Sequence, residues 1–253
     1  MLLKLTEKCS LGCNHCMNRS TPEGEHMTLD TLNDVLEFLI RNKAYKHVVV
    51  SGGEPTEHPD FERLMNRMLI RFSEEKNWSA ITITTNGFWC LEHPDAAKRI
   101  AAGTPYTKVF WQVSTDSRYY PKKLPLHKKL WREPGFILCD QCVAQIYPQG
   151  RALDNNLPWK AKASKCFNVR AVTKQITNPS IGLIVEQLLM AHFYCTPTIR
   201  IDGSISLGES DLCPKAASIY DSEEEIIQKI IDFKCHQCDF INDRLDPIYK
   251  QFL

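Results

Sequence analysis

From Leu2 to Val113 the chain switches repeatedly between two apolar periods. Leu2 to Leu5, His47 to Val50, Ala80 to Thr85 and Val109 to Val113 are short runs rich in apolar or β-branched residues, which predict strands. Between them lie helical stripes. Thr28 to Asn42 carries Leu29, Leu32, Leu36, Leu39 and Ile40 on one face, with Thr28 placed to cap the first turn. Phe61, Leu64, Met65, Met68, Leu69 and Phe72 form a second stripe. Ala96 to Ala102 predicts a short helix stopped by Gly103 and Pro105, and Val143 to Tyr147 predicts a further strand.

Strands alternating with helices imply a parallel α/β sheet, whose ligands gather where strands end. The cysteine loop CSLGCNHC at 9–16, Ser51-Gly52-Gly53, Asn86-Gly87, Ser114 to Asp116 and Pro148 to Arg151 all follow a predicted strand, so they should share one rim. Arg118 to Pro134, rich in Lys and Pro, reads as a solvated loop with a short helix. After about residue 155 the rhythm fades. Ile181 to His192 predicts a helix. Thr198 to Leu207 predicts a hairpin with a type I′ turn at Asp202-Gly203, and Ser222 with Glu225 forms a capping box ahead of Ile226.

Composition narrows the class. The 253 residues are 43% hydrophobic, enough for one large domain or a domain with an appendage. With 31 basic and 30 acidic residues the net charge is +1, which argues against a nucleic-acid partner. No apolar run approaches the length of a membrane span, and MLLKLTEKC turns polar too soon for a secretory signal, so a cytoplasmic protein is expected. Eleven cysteines are then a high count, because a reducing compartment disfavours disulfides and leaves metal or redox chemistry. They group as Cys9, Cys13 and Cys16 near the start and Cys195, Cys213, Cys235 and Cys238 near the end, with Cys90, Cys139, Cys142 and Cys166 between.

Three thiolates on one short loop can hold zinc or an iron–sulfur cluster. Structural zinc wants four closed ligands, and the fourth is missing locally. A zinc site completed by a distant cysteine, in a non-catalytic binding protein, stays open as the alternative. The SGGEPT loop at 51–56 adds flexible backbone and the Glu54 carboxylate, a set suited to a ligand with an amino-acid end.

CxxxCxxC after a first strand and GGEP after a second resemble the radical S-adenosylmethionine (SAM) superfamily, over residues 1 to about 150. The resemblance implies a [4Fe-4S] cluster on Cys9, Cys13 and Cys16, with SAM capping the open iron. It implies that Gly52, Gly53 and Glu54 meet the SAM amino group and that Ser114 to Asp116 meet the ribose. His15 stands where the family usually has an aromatic residue beside the adenine. The implied chemistry is reductive cleavage of SAM to a 5′-deoxyadenosyl radical that takes hydrogen from a substrate. The electron comes from a donor such as flavodoxin or ferredoxin.

At the far end, Cys195 and Cys213 flank the hairpin and Cys235-His236-Gln237-Cys238 is a CxxC after a helix. One CxxC pair does not make a zinc ribbon. The layout resembles the twitch or SPASM-like domain of some members of the family, which implies an auxiliary [4Fe-4S] cluster able to accept an electron. The expected architecture is a partial (β/α)6 TIM-like barrel over 1–155, followed over 156–253 by a small hairpin-plus-helix domain that binds this cluster. The resemblance implies a two-electron oxidation of a polar small molecule such as a sugar or cyclitol. Modification of a ribosomally made peptide is the alternative. Cys90, Cys139, Cys142 and Cys166 read as buried thiols, with a further metal site on the Cys139–Cys142 CxxC as the rival. Arg151, at a strand's end, is the candidate catalytic residue, placed to anchor substrate or the SAM carboxylate. Gln112 is expected to point into the barrel, whereas Trp89 and Trp111 read as packing residues.

Overall fold

The computed structural model describes residues 1–115, 118–125, 128–139, 145–146, 149–157, 160–161, 178–190 and 197–233. Side chains at 145–146, 160–161 and 187–190 lie outside this description. Strands β1 (Leu2–Thr6), β2 (His47–Gly52), β3 (Ser79–Thr85) and β4 (Thr107–Ser114) form where the apolar runs predict them. They pair in parallel in sequence order. Helices α1 (Leu29–Arg41) and α2 (Phe61–Glu74) supply the crossovers. Thr28 caps α1 through its side chain, which accepts from Thr31 N at 3.1 Å. All six residues of the second stripe are buried.

Leu3 and Leu5, Val48 and Val50, Ile81 and Ile83, and Val109, Trp111 and Val113 alternate onto the helix side of the sheet, where they meet α1 and α2 in one core. Trp111 is fully enclosed, stacks near Trp89 and Phe136, and donates from Nε1 to the Ala97 carbonyl at 3.0 Å. Both tryptophans therefore pack, as their sequence context implies. After β3, Gly87 adopts a left-handed φ of 83° and opens α3 (Phe88–Glu92), which leads into α4 (Pro94–Ala102).

The next sheet strand differs from expectation. It is β5 (Phe136–Cys139), parallel to β4, and not the run at Val143 to Tyr147. FILC is only four residues long and follows a Pro-rich loop, so it has no alternation for a periodicity argument to detect. In the predicted run, Gln145–Ile146 (β6) instead pairs antiparallel with Lys160–Ala161 (β7). Gln149 then leads into a short helix α5 (Gly150–Asp154), and α6 (Ile181–Met190) forms near its expected place.

The predicted hairpin is present as β8 (Pro197–Ile199) and β9 (Ser204–Leu207). Its turn is not the predicted two-residue type I′. Arg200 N bonds to Ser204 O and Gly203 N to Arg200 O, and only Gly203 has positive φ, which is a three-residue loop with a glycine bulge. A third strand, β10 (Lys215–Ser218), pairs antiparallel with β9. The capping box on Ser222 and Glu225 opens α7 (Glu223–Asp232). Strand β8 joins β1 in parallel, so the sheet order is β10-β9-β8-β1-β2-β3-β4-β5. The α/β architecture with a parallel run of β8, β1, β2, β3, β4 and β5 matches the barrel-like fold class read from the sequence. Among the described residues no helix is long and apolar enough to cross a membrane.

Candidate functional site

The cysteine loop leaves β1 directly and is sewn into place at several points. Cys9 N bonds to Thr21 O at 2.9 Å, and Ser10 donates from its backbone and hydroxyl to the Glu57 carboxylate. Cys9, Cys13 and Cys16 then converge on one apolar cluster with Leu11, Leu124, Phe88 and Tyr120. Burial pushes the Cys9 thiol up to about 11, opposed by the Leu11 backbone N–H and reinforced by the nearby Glu54, Glu57 and Cys16. A bound cation would reverse that shift by pairing with the thiolate. Among the described residues no three His, Cys, Asp or Glu side chains are placed to hold a single metal ion. His15 packs beside Tyr119 and Tyr120, with ring centres 5.9 and 4.8 Å away.

The Gly-Gly loop runs alongside the exit of β1. Gly53 N bonds to Thr6 O at 2.7 Å and Glu54 N to Lys8 O at 2.8 Å. A Cβ on Gly52 would stand 2.1 Å from Thr6 O, and one on Gly53 would stand 2.0 Å from Lys8 O. The glycines are therefore required where the two loops meet, before any question of a ligand arises. Glu54 is buried, and the chain itself supplies its donors. Oε1 accepts from Thr56 Oγ1 and Thr85 Oγ1, both at 2.7 Å, and Oε2 from Asn86 N at 2.8 Å. Burial raises its carboxyl pKa, and these donors pull it back down. Glu54 thus ties the loop after β2 to the end of β3. Ser114 sits half-buried at the end of β4, and Asp116 lies outside the described residues.

Arg151 meets the cysteine loop directly. Its backbone N bonds to Cys16 O at 2.8 Å, Nε donates to Cys13 O at 2.9 Å and Nη1 to Ser20 O at 2.8 Å. Gly150 lies flush against the same loop, since a Cβ there would meet Cys16 O at 2.4 Å. Asn155 donates to Asn14 O, and Asp154 pairs with Arg19 at 2.7 Å. The short helix α5 is thus a buttress for residues 13–20, a role the sequence does not announce. The remaining Arg151 Nη2 is buried and, among the described residues, has no hydrogen-bond partner. Arg151→Ala removes two charge-assisted bonds to buried carbonyls and is expected to cost about 3 kcal/mol, read by denaturant titration of anaerobic protein.

The other expected residues divide clearly. Gln112 points away from the core and donates from Nε2 to Cys139 Sγ at 3.3 Å. Cys139 is therefore half-exposed at a strand's end and not a core thiol, whereas Cys90 is fully buried in the core. Cys213 is buried beyond β9, where a Cβ on Gly208 would stand 2.5 Å from its Sγ. Cys142, Cys166, Cys195, Cys235 and Cys238 lie outside the described residues. A cavity of about 470 Å³, lined by Lys98, Lys108, Glu133 and Gly135 among others, opens near the starts of β4 and β5. It lies at the opposite end of the strands from the cysteine loop, where parallel sheets do not place their chemistry.

Comparison with known proteins agrees with this picture. The Radical SAM superfamily matches residues 3–128. The mycofactocin maturase MftC of Mycobacterium tuberculosis is 33% identical over 115 residues, which are 45% of this chain and 26% of the relative. The match thus spans about a quarter of that curated protein's length. Among solved structures, BtrN in complex with AdoMet and 2-DOIA aligns with a TM-score of 0.53 at 13% identity, covering 96% of this chain and 84% of that one. The anSMEcpe enzyme with bound AdoMet and Cp18Cys peptide aligns with a TM-score of 0.52 at 16% identity, covering 93% and 84%. At these identities the two structures establish a shared fold.

Proposed function

Given that this chain belongs to the radical SAM superfamily through residues 3–128, we propose that it cleaves SAM reductively and oxidises a polar small molecule by two electrons. The observation that carries this reading is the convergence of Cys9, Cys13 and Cys16 in one apolar cluster beside the Gly52-Gly53 loop. The donor set fits a [4Fe-4S] cluster. It offers three soft ligands on one loop, apolar walls and a buried Arg151 Nη2, unpartnered among the described residues, that suits an anionic group. With cluster and SAM bound, that pair supplies the 5′-deoxyadenosyl radical that takes hydrogen from the substrate.

The chain's own residues hold and shield. Leu11, Leu124, Phe88 and Tyr120 line the thiols with apolar surface, leaving Cys13 buried and Cys9 and Cys16 half-buried. Arg151 and Gly150 fix the loop's path, and Glu54 fixes the spacing of the loops after β2 and β3. The backbone of Gly52 and Gly53, with Glu54, is assigned to the SAM amino group, Ser114 and Asp116 to the ribose, and His15 to the adenine.

A second, auxiliary [4Fe-4S] cluster is assigned to Cys195, Cys213, Cys235 and Cys238, as an acceptor for the electron leaving the substrate. Residues from about 156 onward are assigned to the unit that carries it. Flavodoxin or ferredoxin in the cytoplasm would supply the first electron. Support for a small molecule comes from the 2-DOIA held by BtrN. A peptide substrate is the second reading, favoured by the Cp18Cys peptide held by anSMEcpe and by the likeness to a maturase.

Anaerobic purification with iron and sulfide counting, then incubation with SAM and dithionite, tests the proposal. About eight irons per chain and release of 5′-deoxyadenosine and methionine are expected. Four irons with cleavage intact would remove the auxiliary cluster. Zinc without sulfide would remove the whole reading.

A further inference from the structure

The side of the sheet facing away from the helices is polar. Thr82, Thr84, Gln112 and Ser114 lie along it, half-exposed, on β3 and β4. On β1 the same face carries Lys4, between Leu3 and Leu5 of the core. Lys4 is only 2% exposed, although lysine is almost never fully buried without a partner. Its Nζ donates to Asn18 Oδ1 at 2.7 Å, and Asn18 in turn donates to Gly52 O. An ammonium has three donors, and among the described residues no carboxylate lies within ion-pair distance of this one.

Glu209 is near enough to act on Lys4 through its charge, but it accepts from the hydroxyl of Ser51, the register partner of Lys4. Arg200 is a second buried cation on this side. It is committed to Ser206 Oγ, Ser210 O and Cys213 O. Two buried cations thus lie near two half-buried carboxylates, Glu209 and Glu7, neither of which is within ion-pair distance of Lys4, and a buried charge without a paired counter-ion is costly. Among the described residues the Lys4 ammonium has no negatively charged acceptor within hydrogen-bond distance.

We propose that Lys4 anchors a substrate-recognition site on the inner face of the sheet, taking an anionic oxygen group of the substrate, a carboxylate or a phosphate. This deepens the reading of the chain as a radical SAM enzyme and rests on it for the word substrate. Burial lowers the Lys4 pKa, Glu209 and Glu7 raise it and Arg200 lowers it, so an added anion further favours the charged lysine. Asn18 fixes the ammonium while bonding to Gly52, so a ligand on Lys4 would sit within reach of the loop assigned to SAM.

The test is a thermal-shift titration of reconstituted protein with SAM and no reductant, at constant ionic strength. The probes are inorganic phosphate, succinate and the neutral polyol myo-inositol. A saturable rise in Tm with phosphate or succinate is expected, and whichever acts names the group. Lys4→Met should weaken that anion about tenfold, and Lys4→Arg should keep it within about threefold. Should Lys4→Met not fold, Lys4→Gln, which keeps a polar group for Asn18 but carries no charge, serves instead and should weaken the anion about tenfold as well. Anion binding unchanged in Lys4→Met or Lys4→Gln, absent from wild type, or matched by myo-inositol overturns the proposal. Release of 5′-deoxyadenosine by the wild type is scored separately, so loss of the enzymatic reading is not mistaken for loss of the site.

Discussion

Replacing Cys13 by alanine should abolish SAM cleavage while leaving the fold standing. Cys13 is 8% exposed in the small cluster that holds Cys9 and Cys16, so trimming it removes one ligand of three and little packing. Release of 5′-deoxyadenosine should fall to background, and iron content should drop by about four per chain, one cluster's worth. Circular dichroism should stay native, because a small buried thiol contributes only about 1 kcal/mol of packing. Cys90→Ala is the matched control. Cys90 is also buried but belongs to the main core, so its loss should lower stability by at least as much and leave iron and cleavage intact. Equal iron loss in both variants would mean that the cysteine loop has no special claim on the cluster.

Gly53→Ala carries the largest expected cost in stability. The new Cβ would stand 2.0 Å from Lys8 O and 2.5 Å from Lys8 C, and both are backbone atoms that cannot swing aside. Relief requires the Gly-Gly loop to part from the exit of β1, breaking the bonds from Gly53 N to Thr6 O and from Glu54 N to Lys8 O. Overpacking with loss of those bonds should cost about 4 kcal/mol. For a chain of this size that lowers Tm by roughly 10 °C, measurable by calorimetry on the anaerobic protein. Because Cys9 follows Lys8 directly, the same variant should also impair cluster loading. An alanine that is tolerated in both respects would show that the close approach of the two loops is dispensable.

These predictions draw on different depths of information. The cysteine spacing and the GGEP loop were legible as chemistry because both are contiguous in the chain. Asn86-Gly87 was legible as the close of a strand, but not the use of Asn86 N to fill the Glu54 carboxylate. Arg151 was legible as a residue at the rim. Its grip on the carbonyls of Cys13 and Ser20 was not, since those partners lie 138 and 131 positions away. Lys4 passed unremarked, because a single polar residue in an apolar run looks like ordinary alternation until the burial of both sheet faces is known.

By itself the sequence determined what depends on near neighbours. It set the helical stripes, the Thr28 cap, the capping box at Ser222, the four strands that order the first half, and the three thiols on one loop. Tertiary structure alone decided which strand follows β4, that the hairpin joins β1 in parallel, that α5 braces the cysteine loop and that Lys4 is enclosed. The physical reason is that periodicity and capping energies act over a few residues. Strand partners and buried charges are instead selected by which distant surfaces close over one another, and no local pattern encodes that choice.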